Sequence, residues 1–392
     1  MRIFRSAGNA VTGFFCFFIA FSAAADSNKK QVYFAGFAFT GENQYLSEMA
    51  RHSDRIMGGD GLETINAALI SALEKQPPQY LTLESQTQGR LDGTTSTIVM
   101  AAALDRETIS IEPLGNQHKL LVELGFQALF FDFTEKQVIA SYPITLQYID
   151  LLDTYPVDSQ IESVVAGLLT GQNSGSLPIQ LAETLAYARL PEASLRRLQV
   201  GPVSISDAAA GRLPGSVKSS AIADSLAQEL TKAISSATGI GLLPPASGNA
   251  LGGAMSARFA DGRVYQLNIP EADYRINFQL DGLRHGTVEE TAAMKTLLFG
   301  AFFNISVTEP LSGKEYFNQP LRRGASKVVP STQQGIDYWA AYQETTLSGL
   351  RMFAATAAAD PASKAWLAEQ KPGGRVLGQH AKSLQELIAS CR

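Results

Sequence analysis

Two long apolar runs dominate the sequence, and each is followed by a short polar turn and a second apolar segment. The first run covers residues 120–133 and the second covers residues 295–307. An apolar segment, a turn and a returning segment are typical of a β-hairpin buried against other elements. The turns begin at the matching pairs Thr134-Glu135 and Thr308-Glu309. We therefore expect two similar units along the chain.

The elements before the first run predict an α/β unit. Residues 32–39 are apolar at alternating positions on both faces, which is typical of a strand covered on both sides. A helix follows, with apolar residues at helical spacing, and it is expected to stop at Pro77-Pro78. Its apolar positions are Leu62, Ile65, Leu69 and Leu73. Further strands are predicted at 80–83, 97–102 and 108–112, and the hairpin returns over 138–146.

The second half repeats this order. Residues 200–205 predict an opening strand, and a helix before Pro244-Pro245 carries one apolar face. That face consists of Ile222, Leu226, Leu230 and Ile234. Strands are then predicted at 274–280, along the second run, and at 315–321 after a turn over 309–314. Tandem duplication explains the repeated order, and the alternative is two unrelated α/β units that share it.

Three helices carry a capping-box pattern, in which a small polar residue precedes Glu or Gln by three positions. The pairs are Asp60 with Glu63, Ser159 with Glu162, and Ser331 with Gln334. The latter two open helices that follow the two hairpins. Each pair predicts reciprocal hydrogen bonds at a helix start.

We predict an α/β fold, with α+β as a possibility, made of two tandem units whose mixed sheets are covered by helices. The expected divisions are a signal peptide over 1–25, a first domain over 26–171, a linker with a helix over 172–198, a second domain over 199–358, and an Ala-rich helical tail over 359–392. The tail is expected to dock on the fold or to serve as an interaction arm.

The amino terminus has the pattern of a secretory signal. Arg2 and Arg5 precede an apolar run over 11–21, and small residues at 22–25 fit cleavage near Ala25. A retained membrane anchor would need an apolar stretch of about 20 residues. Cys16 lies in the middle of the apolar run, so no lipid attachment is expected there. The protein is therefore expected in the periplasm or in the medium.

Charge and cysteine content exclude other classes. The 32 basic and 37 acidic residues give a net charge of −5 and are scattered, so nucleic acid is not an expected partner. Without Cys16, Cys391 is the single remaining cysteine, and an internal disulfide is impossible. Cys391 is expected to be an ordinary tail residue or a site of linkage to another chain.

The sequence contains no recognisable catalytic, metal or cofactor motif. Its four histidines, His52, His118, His285 and His380, show no metal-ligand spacing. Only His52, near Asp54 and Asp60, and His285, between Asp281 and Glu289, lie close to carboxylates, and both are expected in exposed polar loops. The segment Gly58-Gly59-Asp60-Gly61 lacks the Lys of a P-loop and is expected to be a turn.

Aromatic residues alternate at strand spacing around the first strand and the first apolar run. They are Tyr33, Phe34, Phe37, Phe39, Phe126, Phe130, Phe131 and Phe133. Burial in a core is the simplest expectation for these residues, and likewise for Trp339 and Tyr342. If one face of a hairpin were exposed, a partner could dock there or add a strand at its edge.

The segment FNISVTEPLSGKEYF over 303–317 runs an apolar strand into an acidic, glycine-containing turn and returns with a short strand. It resembles the α/β domains of the TolB amino-terminal and CsgG-like group of bacterial envelope proteins, which also occur in the flagellar accessory protein FlgT. The first hairpin, over 134–138, has a shorter turn and no glycine. The resemblance implies scaffolding, secretion or assembly through protein contacts, without catalytic residues. A pore like that of CsgG is not implied, because no amphipathic barrel insertion is present.

These observations predict an exported, non-enzymatic envelope protein without a cofactor. Its expected partner is another envelope or periplasmic protein, and peripheral contact with a membrane is compatible with this role. Two alternatives stay open at this point. One is a secreted hydrolase that uses His52 or His285 as a base. The other is a small-molecule binding protein with a cleft between its two halves.

Overall fold

The computed structural model describes residues 29–40, 50–84, 97–192, 196–215, 217–246, 254–259, 264–333, 336–370 and 374–391. The predicted signal segment, with Cys16, lies outside the described residues. Within these ranges, no helix combines the length and the hydropathy that a membrane span requires.

Eleven strands and nine helices lie within the described ranges. The strands are β1 (Lys30–Thr40), β2 (Leu81–Glu84), β3 (Ile98–Leu114), β4 (Gln117–Asp132), β5 (Gln137–Leu152), β6 (Leu198–Ile205), β7 (Ala254–Phe259), β8 (Val264–Asn268), β9 (Tyr274–Glu290), β10 (Met294–Glu309) and β11 (Lys314–Pro330). The helices are α1 (Arg51–Ile56), α2 (Gly61–Lys75), α3 (Asp158–Thr170), α4 (Leu177–Tyr187), α5 (Asp207–Ala210), α6 (Ser219–Thr238), α7 (Tyr338–Ala357), α8 (Ser363–Glu369) and α9 (Gly374–Ala389).

The first sheet has seven strands in the order β2-β1-β3-β4-β5-β8-β7. Strand β1 is parallel to β2 and β3, and β3, β4 and β5 form an antiparallel meander. Residues 38–40 of β1 also pair with residues 257–259 of β7. Six strands therefore form a closed ring, in which the hairpin of β7 and β8 bridges β5 and β1.

Both faces of the first sheet are covered. One face packs under α2, α3 and α4, with Phe37, Phe126 and Phe130 in the core. The other face packs under the β7–β8 hairpin and the segments around it. The residues of this second core are Ala38, Val99, Ala101, Ala103, Leu129, Phe131, Val138, Leu243, Met255, Leu267, Ile269 and Ala272. The aromatic residues predicted to be buried at Phe37, Phe39, Phe126, Phe130 and Phe131 are confirmed as core.

The second sheet has four strands in the order β11-β10-β9-β6, with β6 parallel to β9. Alternate residues of β10 are buried, namely Leu297, Phe299, Ala301, Phe303, Ile305 and Val307. They share one core with residues of α6, α7 and α9, including Leu230, Phe353 and Leu384. The helices of the second half therefore lie on one face of this sheet, called here the inner face.

The predicted α/β class, with mixed sheets covered by helices, is confirmed. In both sheets, the opening strand lies parallel to the first strand of a three-stranded meander. Tandem duplication and the predicted domain divisions stay predictions. The β7–β8 hairpin comes from the second half of the chain but completes the first sheet.

A buried lysine ties the two halves together. The Nζ of Lys119 on β4 lies 2.7 Å from Oδ2 of Asp337 and 2.8 Å from Oε2 of Glu112. Asp337 also caps α7, since its Oδ1 accepts a hydrogen bond of 3.0 Å from the backbone N–H of Ala340. Burial lowers the pKa of Lys119, but the hydrogen bonds to Asp337 and Glu112 outweigh it, so that the net pKa is raised.

Several local predictions need correction. The strands predicted at 97–102 and 108–112 are one strand, β3, because a bulge between Leu104 and Arg106 shifts the register without ending the pairing. The helix at Asp60 starts where predicted, but the side chain of Asp60 makes no capping hydrogen bond within the described residues. The turn over 58–61 is confirmed.

The other two capping boxes are also wrong. Helix α3 starts at Asp158, where the side chain of Gln160 accepts a 3.0 Å hydrogen bond from the N–H of Val157. Glu162 instead forms an ion pair of 2.9 Å with Arg55. Helix α7 begins beyond the predicted position, and Ser331 donates to the carbonyl of Thr291 at 2.8 Å. Gln334 lies outside the described residues.

The carboxyl-terminal tail is docked on the second unit. Leu384, Leu387 and Ile388 of α9 are buried in its core, as is Cys391 at 2% exposure. Burial raises the pKa of the Cys391 thiol to about 11. This position explains the cysteine as a core residue and opposes the predicted alternative of linkage to another chain.

Candidate docking surface

His52 does not lie in an exposed loop as predicted. It belongs to α1, is 7% exposed, and its Nδ1 lies 2.8 Å from Oε1 of Glu107 on β3. The same carboxylate accepts hydrogen bonds from the N–H groups of His52 and Ser53 at 3.0 and 2.9 Å, and from Ser53 Oγ at 2.6 Å. Glu107, rather than Asp54 or Asp60, is thus the carboxylate next to His52, and it binds the start of the helix. This geometry holds α1 against β3.

His285 also lies in regular structure rather than in a loop. It is part of β9, and its Nδ1 is 2.5 Å from the hydroxyl of Tyr342 on α7. Its ring lies 4.5 Å from that of Tyr338 and 5.8 Å from that of Phe299, centroid to centroid. Burial raises the pKa of Tyr342, so its hydroxyl stays protonated at neutral pH. His285 therefore connects β9 to α7.

A metal site and a small-molecule site have less support in the structure. Across the described residues, no group of three or more His, Cys, Asp or Glu side chains converges as metal ligands would. A cavity of about 360 Å³ does lie between the two halves. Four of its polar side chains are bonded in pairs, since Arg189 donates to the hydroxyl of Tyr80 at 2.6 Å and the Tyr187 hydroxyl lies 3.2 Å from Ser236 Oγ.

The outer face of the second sheet, on the side opposite its helices, exposes apolar side chains that nothing in the chain covers within the described residues. The half of this face that lies next to the turn between β9 and β10 is called here the upper half. It exposes apolar side chains to solvent, since Leu298 is 46% exposed and Val328 is 56% exposed. Val288, at a bulge of β9, is 66% exposed, and Met294 at the start of β10 is 48% exposed. A groove of about 910 Å³ runs over this region. Contiguous exposed apolar surface on a folded protein marks an interaction site more often than scattered single residues do.

Four glycines lie on this outer face, at Gly282 and Gly286 of β9, Gly300 of β10 and Gly324 of β11. None of them has a positive φ angle. An added Cβ at Gly282 or Gly286 would meet nothing within 4 Å, and at Gly324 its nearest neighbour would be the Phe299 carbonyl oxygen at 3.7 Å. The fold thus has room for side chains at these three positions, whereas at Gly300 an added Cβ would lie 3.3 Å from the Phe302 ring. Glycine weakens a strand, and in strands it often marks either a bulge, as at Gly282, or a place where another backbone or ligand approaches closely.

Two arginines border the groove. The guanidinium of Arg284 lies 5.3 Å from the centre of the Phe302 ring. Arg322 is held from the side of α8, because its N–H donates to Oε1 of Gln370 at 2.9 Å and its carbonyl accepts from Nε1 of Trp366 at 3.0 Å. Helix α8 thereby fixes β11 beside the groove, and the arginines add positive charge next to its apolar side chains.

Comparisons with known proteins do not identify the chain. No family model matches it, and no curated protein matches it by sequence. Among solved structures, it is similar to a minor lipoprotein from Acinetobacter baumannii, with 14% identity over 42% of this chain and 98% of that one, at a TM-score of 0.24. A Xanthomonas campestris protein of family DUF330 matches at 10% identity over 42% and 84%, with a TM-score of 0.20. A hypothetical protein from Chlamydia trachomatis matches at 10% identity over 50% and 94%, also at 0.20.

All three TM-scores lie below 0.5, so these neighbours carry no argument about the role of this chain. The resemblance of residues 303–317 to the TolB and CsgG group finds no match among them and stays a prediction. The sequence left open that one face of a hairpin is exposed, but it did not identify the outer face of the second sheet as that face. The alternating glycines of β9 to β11 were the available signal.

Proposed function

We propose that this protein is an exported, non-enzymatic component of the bacterial cell envelope, located in the periplasm, which acts by binding protein. Its docking surface is the upper half of the outer face of β9, β10 and β11. The observation that carries the proposal is the exposure of Leu298, Val328 and Val288 around a glycine-lined groove. Export is supported by the signal pattern over residues 1–25.

Burial of these side chains against a partner supplies the binding energy. Each apolar residue that leaves water contributes about 25 cal/mol for every Å² buried. The glycines leave the backbone of β9 to β11 open to close approach, so that a partner's side chains can reach between Leu298 and Phe302. The long, hydrogen-bonded strands hold this surface rigid, which keeps the entropic cost of docking low.

The non-enzymatic part of the proposal is supported by the surroundings of the two histidines. His52 is buried and bound to Glu107, and His285 is engaged with Tyr342 and Tyr338. His52 is therefore out of reach of a substrate, whereas His285 is exposed at the groove, where its Nδ1 is bonded to the Tyr342 hydroxyl.

Photo-crosslinking in living cells tests the docking surface. Benzoylphenylalanine is introduced in place of Leu298 or Val328, and in place of Leu151 as a matched control. Leu151 is 47% exposed on β5, nearly the same as Leu298 on β10. The proposal expects the same protein adduct from positions 298 and 328, identified by mass spectrometry, and none from 151. If positions 298 and 328 give no more adduct than 151, the docking surface is wrong.

A further inference from the structure

The upper outer face consists of three cross-strand rows, each with one residue from β9, β10 and β11. The small row is Arg284, Gly300 and Gly324. The central row is Gly286, Leu298 and Ser326. The large row is Glu289, Thr296 and Val328. The small and large rows lie on opposite sides of the central row, and each lies about 7 Å from it along the strands.

We infer that the partner at this surface is a second copy of the same chain, a deepening of the proposed function that depends on it. The two copies pack their outer faces together around a twofold axis that runs along the central row. This rotation reverses the strand direction and places the small row of each copy opposite the large row of the other. A twofold interface uses the same patch on both subunits and must be complementary to itself.

Charge is complementary under this rotation. Arg284 of one copy meets Glu289 of the other, and the contact occurs twice. Both side chains are exposed, and neither has an ion-pair partner among the described residues. The neighbouring Glu290, in contrast, is already paired with Lys295 at 2.7 Å. Each copy thus offers the charges of Arg284 and Glu289 on opposite sides of the axis, while Arg322, the other arginine at the groove, donates to the Glu369 carbonyl at 3.2 Å.

Shape is complementary in the same arrangement. Val328, which is 56% exposed, lies over Gly324 of the second copy, and Thr296 lies over Gly300. Leu298 lies on the axis and packs against its own counterpart. The glycines of the small row therefore provide the space that the side chains of the large row fill. This accounts for glycine at position 324, where the fold of a single copy would accept a side chain.

The distribution of charge favours a second copy over a different protein. A surface adapted to an acidic or a basic partner carries one sign of charge, whereas this surface carries both signs at opposite ends. Two sheets that pack face to face also keep their strands nearly aligned, as a rotation about the central row requires.

Charge exchange tests the arrangement. The full chain and the variants Arg284→Glu and Glu289→Arg are compared by sedimentation velocity over a range of concentrations. We expect dimers for the wild type and monomers for each variant alone, because each then faces its own copy with two like-charged contacts. An equimolar mixture of the two variants is expected to return to dimers, since both contacts then join opposite charges. Arg351→Glu, on exposed α7 surface, is the control and is expected to remain dimeric.

Three outcomes would overturn the inference. They are a wild type that is monomeric at every concentration, single variants that stay dimeric, or a mixture that stays monomeric although both variants unfold at the wild-type temperature. Crosslinking from position 298 separates this failure from failure of the proposed function. A monomeric wild type that crosslinks to another envelope protein leaves the docking surface intact and rejects the second copy as its occupant.

Discussion

The two meanders differ in what lies on their second face. In the first sheet, the helices cover one face and the β7–β8 hairpin covers the other, so that Leu129 on β4 is fully buried. In the second sheet, the helices cover the inner face alone, and Leu298 on β10 is 46% exposed. The same strand order therefore yields a closed core in one half and an open apolar surface in the other. The presence or absence of a layer on the second face, rather than the meander itself, determines which sheet has apolar surface available for a partner.

The largest expected effect is a difference between two leucines on the central strands. Leu129→Ala should lower the free energy of unfolding by about 2–5 kcal/mol, because it leaves a cavity in a packed core. Leu298→Ala should change it by less than about 0.5 kcal/mol, as is usual for surface positions. Urea unfolding measures both, in an Arg284→Glu background that prevents self-association. Equal losses would mean that the outer face of β10 is covered after all.

A second comparison uses two glycines. At Gly241, an added Cβ would lie 2.6 Å from the Cβ of Ala140 and 3.0 Å from the Tyr142 ring. Gly241→Ala should therefore destabilise the fold by about 1–3 kcal/mol through overpacking. Gly286→Ala has open space and should leave stability unchanged or raise it by up to about 1 kcal/mol. The check is the thermal unfolding temperature of the two variants. A destabilised Gly286→Ala would contradict the finding that the outer face has open space at Gly286.

The contact between the halves is sensitive to high pH. The pKa of Lys119 is raised in the folded state, so its stabilising contribution is complete below the unfolded-state pKa and is lost as pH rises through the folded value. Lys119→Met should cost about 1–2 kcal/mol at neutral pH. Above about pH 10.5, the ordinary lysine pKa, wild-type stability should fall towards that of the variant.

Lys327→Met is the control for this experiment. Lys327 pairs with Glu344 in a more exposed contact, with side chains 38% and 58% exposed. Its loss should change stability by less than about 0.5 kcal/mol. If both variants behaved alike across this pH range, Lys119 would not join the two halves energetically.

The smallest effect concerns the thiol of Cys391. Because burial raises its pKa to about 11, the thiolate is scarce at neutral pH in the folded protein. In a Cys16→Ser background, labelling with a disulfide reagent should be at least about tenfold slower in native buffer than in urea. Stability should also decrease above about pH 9, where the unfolded thiol ionises first, and Cys391→Ala should make this decrease smaller. Rapid native labelling would show that the tail is not docked.

Sequence patterns predicted the opening strands, the principal helices and both hairpins, because apolar periodicity reports burial directly. They divided β3 in two, since Asp105-Arg106 interrupts the apolar pattern although pairing continues through the bulge. Burial of His52 was missed because its partner, Glu107, is distant in sequence. An exposed hairpin face was left open, but the outer face of the second sheet was not identified as that face, because Leu298 and Phe302 extend an apolar run whose other half is buried. Periodicity shows that a strand has two apolar faces but not whether a second layer covers each.

The closed ring of the first sheet also sets an order of assembly. A chain that crosses a membrane amino terminus first releases β1 to β5 well before β7 and β8. Until residues 254–268 follow, Val99, Leu129 and Phe131 face water, and β5 presents a free edge on the side that later pairs with β8. Intermediates of this kind aggregate readily. Completion of the first half therefore waits for the second, and a chain that ends before residue 254 would need a chaperone to stay soluble.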